Sequence, residues 1–323
     1  MQSYWMNTST ATAQVELRTV PVPEPGPRQL LVRLRAAALN RGEFIIGHGL
    51  TKAGGVKALG IEGAGEVVGA GAEVTRFAAG ARVMGRFAAA MSEYALVEES
   101  DLLPMPERLS WEEAAAIPVT YMVAHDMLVT QGHLPAGGWL LVTGVSSGVG
   151  VASFQLASTL GAKVIGTSGS EAKLERLRTL GLDVPLCTRS ADFLDAVMQA
   201  TSGAGVDVAV NTVGGTLFAE CLRSLAFQGR LATVGYLDGV LDASVDLQAL
   251  HAKRLVLYGV SNKMVGAAQR AAMTARFADE VLPAIADGRI RPLLDRVFEF
   301  GQVAAAKTYM ESNSHLGKIV VSI

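Results

Sequence analysis

The chain has 323 residues, half of them hydrophobic and 18% charged, and its formal net charge is −2. This length predicts two domains, and the near-neutral charge argues against a nucleic-acid or acidic-membrane partner. Two cysteines, Cys187 and Cys221, are too few for a disulfide scaffold. No signal peptide or membrane-length apolar run is recognisable, so we expect a cytoplasmic protein.

The first third of the chain has the pattern of a small β domain. Leu30–Leu39 alternates apolar and basic residues, which predicts a half-buried strand that ends at Asn40. Short strands separated by glycines are typical of a barrel or sandwich, and we predict them at Ile61–Val68, Ala81–Met84 and Ser92–Val97. Ser110 and Glu113 have the spacing of a helix capping box, and a further helix is predicted over Thr120–Gly132.

From residue 139 the pattern alternates between apolar strands and helices, which predicts a doubly wound parallel sheet. The predicted strands are Leu140–Thr143, Lys163–Thr167, Val184–Leu186, Val206–Asn211, Arg230–Gly235 and Leu255–Val260. The predicted helices between them are Glu171–Leu180, Ala191–Ala200, Thr216–Leu225 and Leu247–Ala252. A helix over Ala267–Ala286 and a strand over Lys318–Ile323 are predicted at the end of the chain.

A glycine-rich turn follows the first of these strands. A strand, a tight glycine turn and a helix N-terminus together form an anion site, because backbone N–H groups point outward there. Gly148 would let the backbone approach a pyrophosphate, and Gly150 would let the helix lie close to the strand. The turn residues predicted to bind a dinucleotide are Gly144, Val145, Ser146, Ser147, Gly148 and Val149. A glycine triplet is a weak signal, and an ordinary strand–turn–helix remains the alternative.

The residues at the end of the second predicted strand, Lys163–Thr167, indicate which dinucleotide the protein binds. NAD enzymes place an acidic residue about 20 residues after the glycine turn, where it binds the ribose 2′-hydroxyl. Here Ser168 and Gly169 stand at that point, and Lys173 follows. A hydroxyl and a cation suit a 2′-phosphate, so we predict NADPH, with Arg189 as a further phosphate contact.

Several motifs together resemble the quinone oxidoreductase (zeta-crystallin-like) branch of the medium-chain dehydrogenase/reductase superfamily. They are Leu39-Asn40, Gly60-Ile61-Glu62-Gly63-Ala64-Gly65, Ala115–Pro118, Gly144–Gly150, Gly205–Val208 with Asn211 and Val213–Gly215, Gly229–Leu231 and Gly317–Val320. Ala81–Gly85 and Pro118–Ala124 also resemble enoyl reductase domains of polyketide synthases. Short-chain dehydrogenases are rejected, because no tyrosine is followed four residues later by lysine.

This resemblance implies an α/β protein with a GroES-like β-rich catalytic domain and a Rossmann dinucleotide-binding domain. The expected bounds are 1–123 with 262–323 for the catalytic domain and 124–261 for the NADP(H)-binding domain. It also implies a homodimer formed through the edge strand near Leu255–Val260.

The resemblance further implies that no zinc is bound. Zinc alcohol dehydrogenases carry cysteine where Asn40 stands and histidine where Ile61 stands, and neither present residue completes a three-ligand site. The five histidines show no metal-ligand spacing, so no metal ligand is predicted.

Site residues are assigned by the same resemblance. Asn40 is expected beside the nicotinamide ribose as the substrate-side polar group, and Thr51 stands where relatives often carry a tyrosine donor; His48 is a weaker candidate acid. Arg41 and Glu43 are interpreted as a solvated pair. The remaining predicted cofactor contacts are Asn211, Val213, Gly235, Tyr236, Val260, Ser261 and Lys318.

The predicted function is transfer of a hydride from NADPH to a quinone or an α,β-unsaturated carbonyl. Without a metal to stabilise an alkoxide, these acceptors are easier to reduce than an ordinary carbonyl, since the charge spreads into an enolate or phenolate. Two alternatives remain open: a stand-alone enoyl-thioester reductase, and a non-catalytic NADPH-binding protein.

Overall fold

The computed structural model describes residues 1–9, 13–46 and 54–323. These residues form two compact units, the first made of Met1–Met122 with Asn262–Ile323 and the second of Val123–Ser261. Each unit has its own apolar core, as expected of a domain.

The strands and helices of the described residues are as follows. The strands are β1 (Gln2–Asn7), β2 (Gln14–Thr19), β3 (Gln29–Ala38), β4 (Val56–Ala58), β5 (Glu62–Ala70), β6 (Arg82–Arg86), β7 (Tyr94–Glu98), β8 (Leu102–Pro104), β9 (Trp139–Thr143), β10 (Lys163–Ser168), β11 (Val184–Cys187), β12 (Val206–Asn211), β13 (Leu225–Thr233), β14 (Val256–Gly259), β15 (Leu294–Glu299) and β16 (Lys318–Ser322). The helices are α1 (Arg41–Phe44), α2 (Trp111–Ala115), α3 (Pro118–His125), α4 (Gly148–Thr159), α5 (Glu171–Thr179), α6 (Leu194–Ala200), α7 (Gly215–Arg223), α8 (Leu247–Ala252), α9 (Ala267–Glu280), α10 (Leu282–Ala286) and α11 (Val303–Glu311). A π-helical segment (Asp126–Gln131) follows α3, and single 3₁₀ turns lie at Glu99–Asp101, Asn262–Met264 and Phe300–Gln302.

In the described part of the first unit, seven strands form one sheet. Its order is β15-β16-β3-β5-β6-β8, with β7 also paired to β3, and a second antiparallel sheet has the order β2-β1-β4. The predicted alternation along β3 is confirmed, because Leu30, Val32 and Leu34 are buried in the core of this unit. The β-rich, GroES-like fold expected of this part of the chain is therefore present.

The carboxyl end of β3 is where the first unit gathers its polar residues. Asn40 precedes the short helix α1, β5 begins at Glu62, and β16 begins at Lys318. Because β3 is antiparallel to both β5 and β16, its last residues lie beside the first residues of those strands. Three chain segments that are distant in sequence therefore meet at one end of the sheet.

The second unit contains the predicted doubly wound sheet. Its six strands are parallel and ordered β11-β10-β9-β12-β13-β14. The strand order reverses between β9 and β12, and in open α/β sheets ligands bind at the carboxyl ends of the strands at such a switch point. The turn that follows β9 therefore lies where a dinucleotide binds in this fold.

Some predicted elements differ from the structure. The helix predicted over Ala267–Ala286 is two helices that break at Val281, with Pro283 in the first turn of the second. The helix predicted over Thr120–Gly132 is α3 and the π-helical segment. Other elements, among them β1, β4, β8, β15, α1 and α11, were not predicted. Most residues of β15 are at least partly exposed, which removes the hydrophobic alternation on which strand prediction depends.

No described helix combines the length and the apolar character that crossing a membrane requires.

Candidate functional site

The glycine turn, defined here as Gly144–Gly150, joins β9 to α4 in the second unit. Gly144 has φ of +65°, and a Cβ there would lie 2.6 Å from Thr212 Oγ1, so only glycine fits without strain. A Cβ on Gly150 would lie 2.5 Å from the Gly144 carbonyl oxygen. Gly150 therefore allows α4 to pack tightly on the turn, as its position in the motif predicts.

The glycine turn offers backbone donors to an anion. Ser147 is the N-cap of α4, and its Oγ accepts a hydrogen bond from Gly150 N at 3.1 Å. The N–H groups of Gly148 and Val149 donate to no acceptor among the residues that the structure describes. Gly148 is partly exposed. Two unused donors at a helix N-terminus fit a pyrophosphate.

The end of β10 carries the residues predicted to select the cofactor. Ser168 Oγ lies 3.2 Å from Ser146 Oγ, which joins the strand end to the glycine turn. The Arg189 side chain lies over Gly169, where a Cβ would overlap its guanidinium and its aliphatic carbons. The structure thus brings a hydroxyl and a guanidinium to the tip of β10.

A carboxylate and a thiol lie beside this group. Cys187, at the end of β11, pairs in register with Ser168 and is exposed. Its thiol donates a hydrogen bond to Glu171, and this bond raises the pKa of the thiol. Glu171, the first carboxylate after β10, is therefore directed toward Cys187. Lys173, predicted as a phosphate contact, is the third residue of α5 and is partly buried.

Two predicted cofactor residues have structural contacts that occupy their side chains. Asn211 is fully buried; its Nδ2 donates to Gly214 O at 2.8 Å, and its Oδ1 accepts from Val213 N at 3.0 Å. Val145 is also fully buried, and its side chain packs against Gly166. Any cofactor contact from these two positions would therefore come from the backbone.

Beyond β12 and β13 the second unit has a cavity of about 250 Å³. Its lining includes Phe218, Val240 and Leu241 beside the polar groups of Asn211 and Tyr236. Tyr236 is 45% exposed, and Gly235 packs against the Thr212 carbonyl. Val260, in contrast, is buried; Ser261 is exposed. The side chain of Tyr236 is thus accessible at the cavity that it lines.

The polar cluster of the first unit, defined here as Asn40, Glu62 and Lys318, is mutually bonded, with Glu62 and Lys318 buried and Asn40 partly buried. Asn40 Nδ2 donates to Glu62 Oε1 at 2.8 Å. Lys318 Nζ donates to Glu62 Oε1 at 2.6 Å and to Asn40 Oδ1 at 3.0 Å. The side chains of Lys318 and Glu62 are 6% and 0% exposed. The structure therefore brings together two predicted residues, Asn40 and Lys318, around a carboxylate that was not predicted as a site residue.

Backbone groups supply the remaining hydrogen bonds of the Glu62–Lys318 ion pair. Glu62 Oε2 accepts from Val119 N at 2.7 Å, and Lys318 Nζ donates to Leu39 O at 2.9 Å. All three hydrogens of the Lys318 ammonium are in use. The predicted cofactor contact of Lys318 would require one of these bonds to break.

The interpretation of Arg41 and Glu43 as a solvated pair is wrong. Arg41 donates to Met310 O at 2.6 Å, while Glu43 is 1% exposed and its Oε1 accepts from Gly60 N at 2.6 Å. Burial raises the pKa of Glu43 to about 7. Glu43 therefore holds the segment that precedes Glu62. Sequence spacing offered no sign of this, because isolated glutamates are usually exposed.

The donor set does not suit zinc. Asn40 is bonded to both charges of the ion pair, and Ile61 has no donor atom. Within the residues that the structure describes, no group of three or more His, Cys, Asp or Glu is placed to hold a metal. Thr51 and His48, predicted as donors, lie outside the described residues.

Two family models match the chain. One, described as an alcohol dehydrogenase GroES-like domain, matches residues 26–107. The other, described as a zinc-binding dehydrogenase, matches residues 148–279. Together they cover parts of both units.

Individual proteins match most of the chain. A highly reducing polyketide synthase, gloL of Glarea lozoyensis, is 31% identical over 303 residues, which is 92% of this chain but 12% of that protein. The chain thus spans about one eighth of the length of this relative.

Solved structures superpose over the whole chain. A structure described as an NAD-dependent alcohol dehydrogenase has a TM-score of 0.86 at 28% identity, covering 100% of both chains. A mycobacterial protein in complex with NADPH has a TM-score of 0.89 at 25% identity, also covering 100% of both chains. With these matches and the two-unit architecture, the chain belongs to the medium-chain dehydrogenase/reductase family of oxidoreductases.

Proposed function

We propose that the protein is a zinc-independent, NADPH-dependent oxidoreductase that transfers a hydride to a quinone or an α,β-unsaturated carbonyl. The observation that carries the proposal is the polar cluster: Asn40, which stands where zinc members of the family carry a ligand cysteine, bonds instead to a buried carboxylate and a buried ammonium. Residues 1–122 with 262–323 would be the catalytic unit, and 123–261 the NADPH-binding unit.

The preference for NADPH is supported by the tip of β10. Ser168 can donate to a phosphate oxygen, and Arg189 lies over Gly169 where a 2′-phosphate would add charge. Glu171, which could repel a phosphate, accepts a hydrogen bond from the Cys187 thiol. The structural neighbours do not decide between the cofactors, since one is described as NAD-dependent and another as an NADPH complex.

The proposed reaction needs little acid–base chemistry from the protein. The cofactor would supply a hydride at the nicotinamide ring. When the β-carbon of an enone accepts a hydride, negative charge develops on the carbonyl oxygen, and the α-carbon then takes a proton from solvent. Asn40 can donate one amide hydrogen to that oxygen. The N–H groups of Gly148 and Val149 would hold the pyrophosphate and so fix the cofactor along α4.

A stand-alone enoyl-thioester reductase is the second candidate. It is favoured by the 31% identity to a segment of a polyketide synthase. Hydride addition to the β-carbon of an enoyl thioester is the same chemistry, so the two candidates differ in the group attached to the carbonyl carbon.

One experiment separates these functions: NADPH oxidation measured in parallel with quinones, alkenals, cyclic enones and enoyl-CoA. Turnover with quinones or enones supports the proposal, and turnover confined to enoyl-CoA favours the thioester reductase. If NADPH binds and no acceptor is reduced, a non-catalytic NADPH-binding protein is the better description. Stoichiometric zinc in chelator-washed protein, measured by elemental analysis, would contradict the metal-free proposal.

We also propose a homodimer that forms through β14. This strand is the last in the six-stranded sheet, so one edge of its backbone is unpaired within the described residues and can bind a second copy. A monomer mass by light scattering would contradict it.

A further inference from the structure

The amide of Asn40 is held at its two ends by opposite charges. Its oxygen accepts from the Lys318 ammonium at 3.0 Å, and its nitrogen donates to the Glu62 carboxylate at 2.8 Å. An ammonium can only donate, and a carboxylate can only accept. The amide therefore has one permitted orientation, with Nδ2 toward Glu62 and Oδ1 toward Lys318.

The buried ion pair of Glu62 and Lys318 contributes little net stability to the fold. Both partners are almost fully buried, at 6% and 0% exposure, and their charged atoms are 2.6 Å apart. Burying two charges costs solvation that their attraction only partly returns, so a well-packed apolar pair is often as stable. The specific orientation of Asn40 is a better explanation for the pair than stability.

Lys318 and Glu62 are themselves fixed by the backbone. Lys318 also donates to Leu39 O at 2.9 Å, and Glu62 accepts from Val119 N at 2.7 Å. The two charges are therefore anchored at the end of β3 and at the first turn of α3. A rigid support of this kind sets a donor to within a fraction of an ångström, which matters for rate.

The second amide hydrogen of Asn40 remains available for chemistry. Among the described residues its contact is long, 3.5 Å from Nδ2 to Ala38 O. The positive charge of Lys318 on the amide oxygen draws electron density from the nitrogen, which makes the N–H groups stronger donors.

We propose that Glu62 and Lys318 are positioning residues of the reaction, which orient and polarise the Asn40 amide toward the substrate oxygen that gains negative charge. This inference rests on the proposed function, because it assigns a supporting role to residues around the proposed donor. It adds two residues, neither of which need touch the substrate.

The first test shortens the carboxylate while keeping its charge. Glu62→Asp draws the carboxylate back by one methylene, so the amide loses its fixed partner, and kcat should fall about 10- to 100-fold. The dissociation constant for NADPH, measured by fluorescence titration, should be unchanged. Glu66→Asp is the matched control, because Glu66 lies on the same strand and its partly exposed carboxylate lies 3.7 Å from Arg35. The kcat of this variant should equal that of the wild type.

The second test is a double-mutant cycle with Asn40→Ala. If Glu62 acts through the amide, Glu62→Asp should lower kcat in the wild type but have no further effect in the Asn40→Ala background. Lys318→Met should give the same pattern. Lys318→Met leaves the Glu62 charge unpaired and can unfold the chain, whereas Glu62→Asp retains both charges and gives the decisive result.

The outcomes separate this inference from the proposed function. Equal losses of kcat in both backgrounds would overturn the inference and leave Asn40 as the donor. An Asn40→Ala variant with wild-type kcat would overturn the proposed role of Asn40 and the inference with it. A loss that appears in NADPH affinity rather than in kcat would also overturn the inference.

Discussion

The glycine turn of the second unit and the polar cluster of the first unit are built in opposite ways. The glycine turn is seven consecutive residues that offer backbone N–H groups and contain no charged side chain. The polar cluster joins residues 22 and 278 positions apart and depends on a buried ion pair. A site made of backbone is encoded locally, whereas a site made of side chains exists only after the sheet has formed.

The largest expected effect comes from filling the glycine turn. Gly148→Val places a branched side chain where the pyrophosphate is expected, and should abolish NADPH binding in a folded protein. Calorimetric titration with NADPH measures this. Gly301→Val is the matched control, since a Cβ there meets nothing within 4 Å. Wild-type affinity in folded Gly148→Val would show that the phosphate binds elsewhere.

The second prediction removes the central group of the polar cluster. Asn40→Ala should lower kcat on the order of 10²-fold, because a donor that acts in the transition state is lost. The NADPH dissociation constant should change far less. Steady-state kinetics and titration on the same preparation give both values, and unchanged turnover would show that Asn40 does not act on the substrate.

The difference between the two regions also explains what the sequence could predict. The glycine turn was predicted from Gly144, Gly148 and Gly150, and the doubly wound parallel sheet around it was predicted from the alternation of β and α patterns. Glu62 lay inside a quoted motif, yet its partnership with Lys318, 256 residues away, had no sequence signal. Glu43 was misassigned for the same reason, because its contact with Gly60 forms only when α1 packs against that segment.

A third prediction concerns the side chains that surround the glycine turn. Lys173→Ala should narrow the preference for NADPH over NADH by roughly 10- to 150-fold, the value of one charge-assisted phosphate contact of about 1.5–3 kcal/mol. The substitution should weaken the affinity for NADPH and leave the affinity for NADH nearly unchanged. Lys163→Ala, at the opposite end of β10, is the control. Equal weakening of both cofactors would exclude Lys173 from the phosphate contact.

Chemical modification of Cys187 tests independently whether a 2′-phosphate binds at the end of β10. It is exposed, whereas Cys221 is buried, and burial also raises the pKa of the Cys221 thiol. Iodoacetamide should therefore modify Cys187, and NADPH should slow the modification more than NADH does. Mass spectrometry of the labelled peptide measures the rate, and equal protection by the two cofactors would argue against a nearby 2′-phosphate.

The smallest effect is expected from Glu43, and on stability rather than on activity. Its pKa is raised from 4.5 to about 7, mainly by burial. Above pH 4.5 the unfolded chain loses a proton that the folded chain keeps, so this residue destabilises the fold increasingly up to pH 7. Glu43→Gln should raise the melting temperature by a few degrees at pH 8 and leave it unchanged at pH 4. An equal change in melting temperature at both pH values would contradict the raised pKa of Glu43.

The central claim is that hydride reaches carbon conjugated to a carbonyl, without a metal. The most direct measurement uses NADPH carrying deuterium at both C4 positions with an α,β-unsaturated ketone, and NMR of the product. We predict deuterium on the β-carbon of a saturated ketone. Deuterium on the carbonyl carbon of an allylic alcohol would contradict the account, because it would show carbonyl reduction of the alcohol dehydrogenase type.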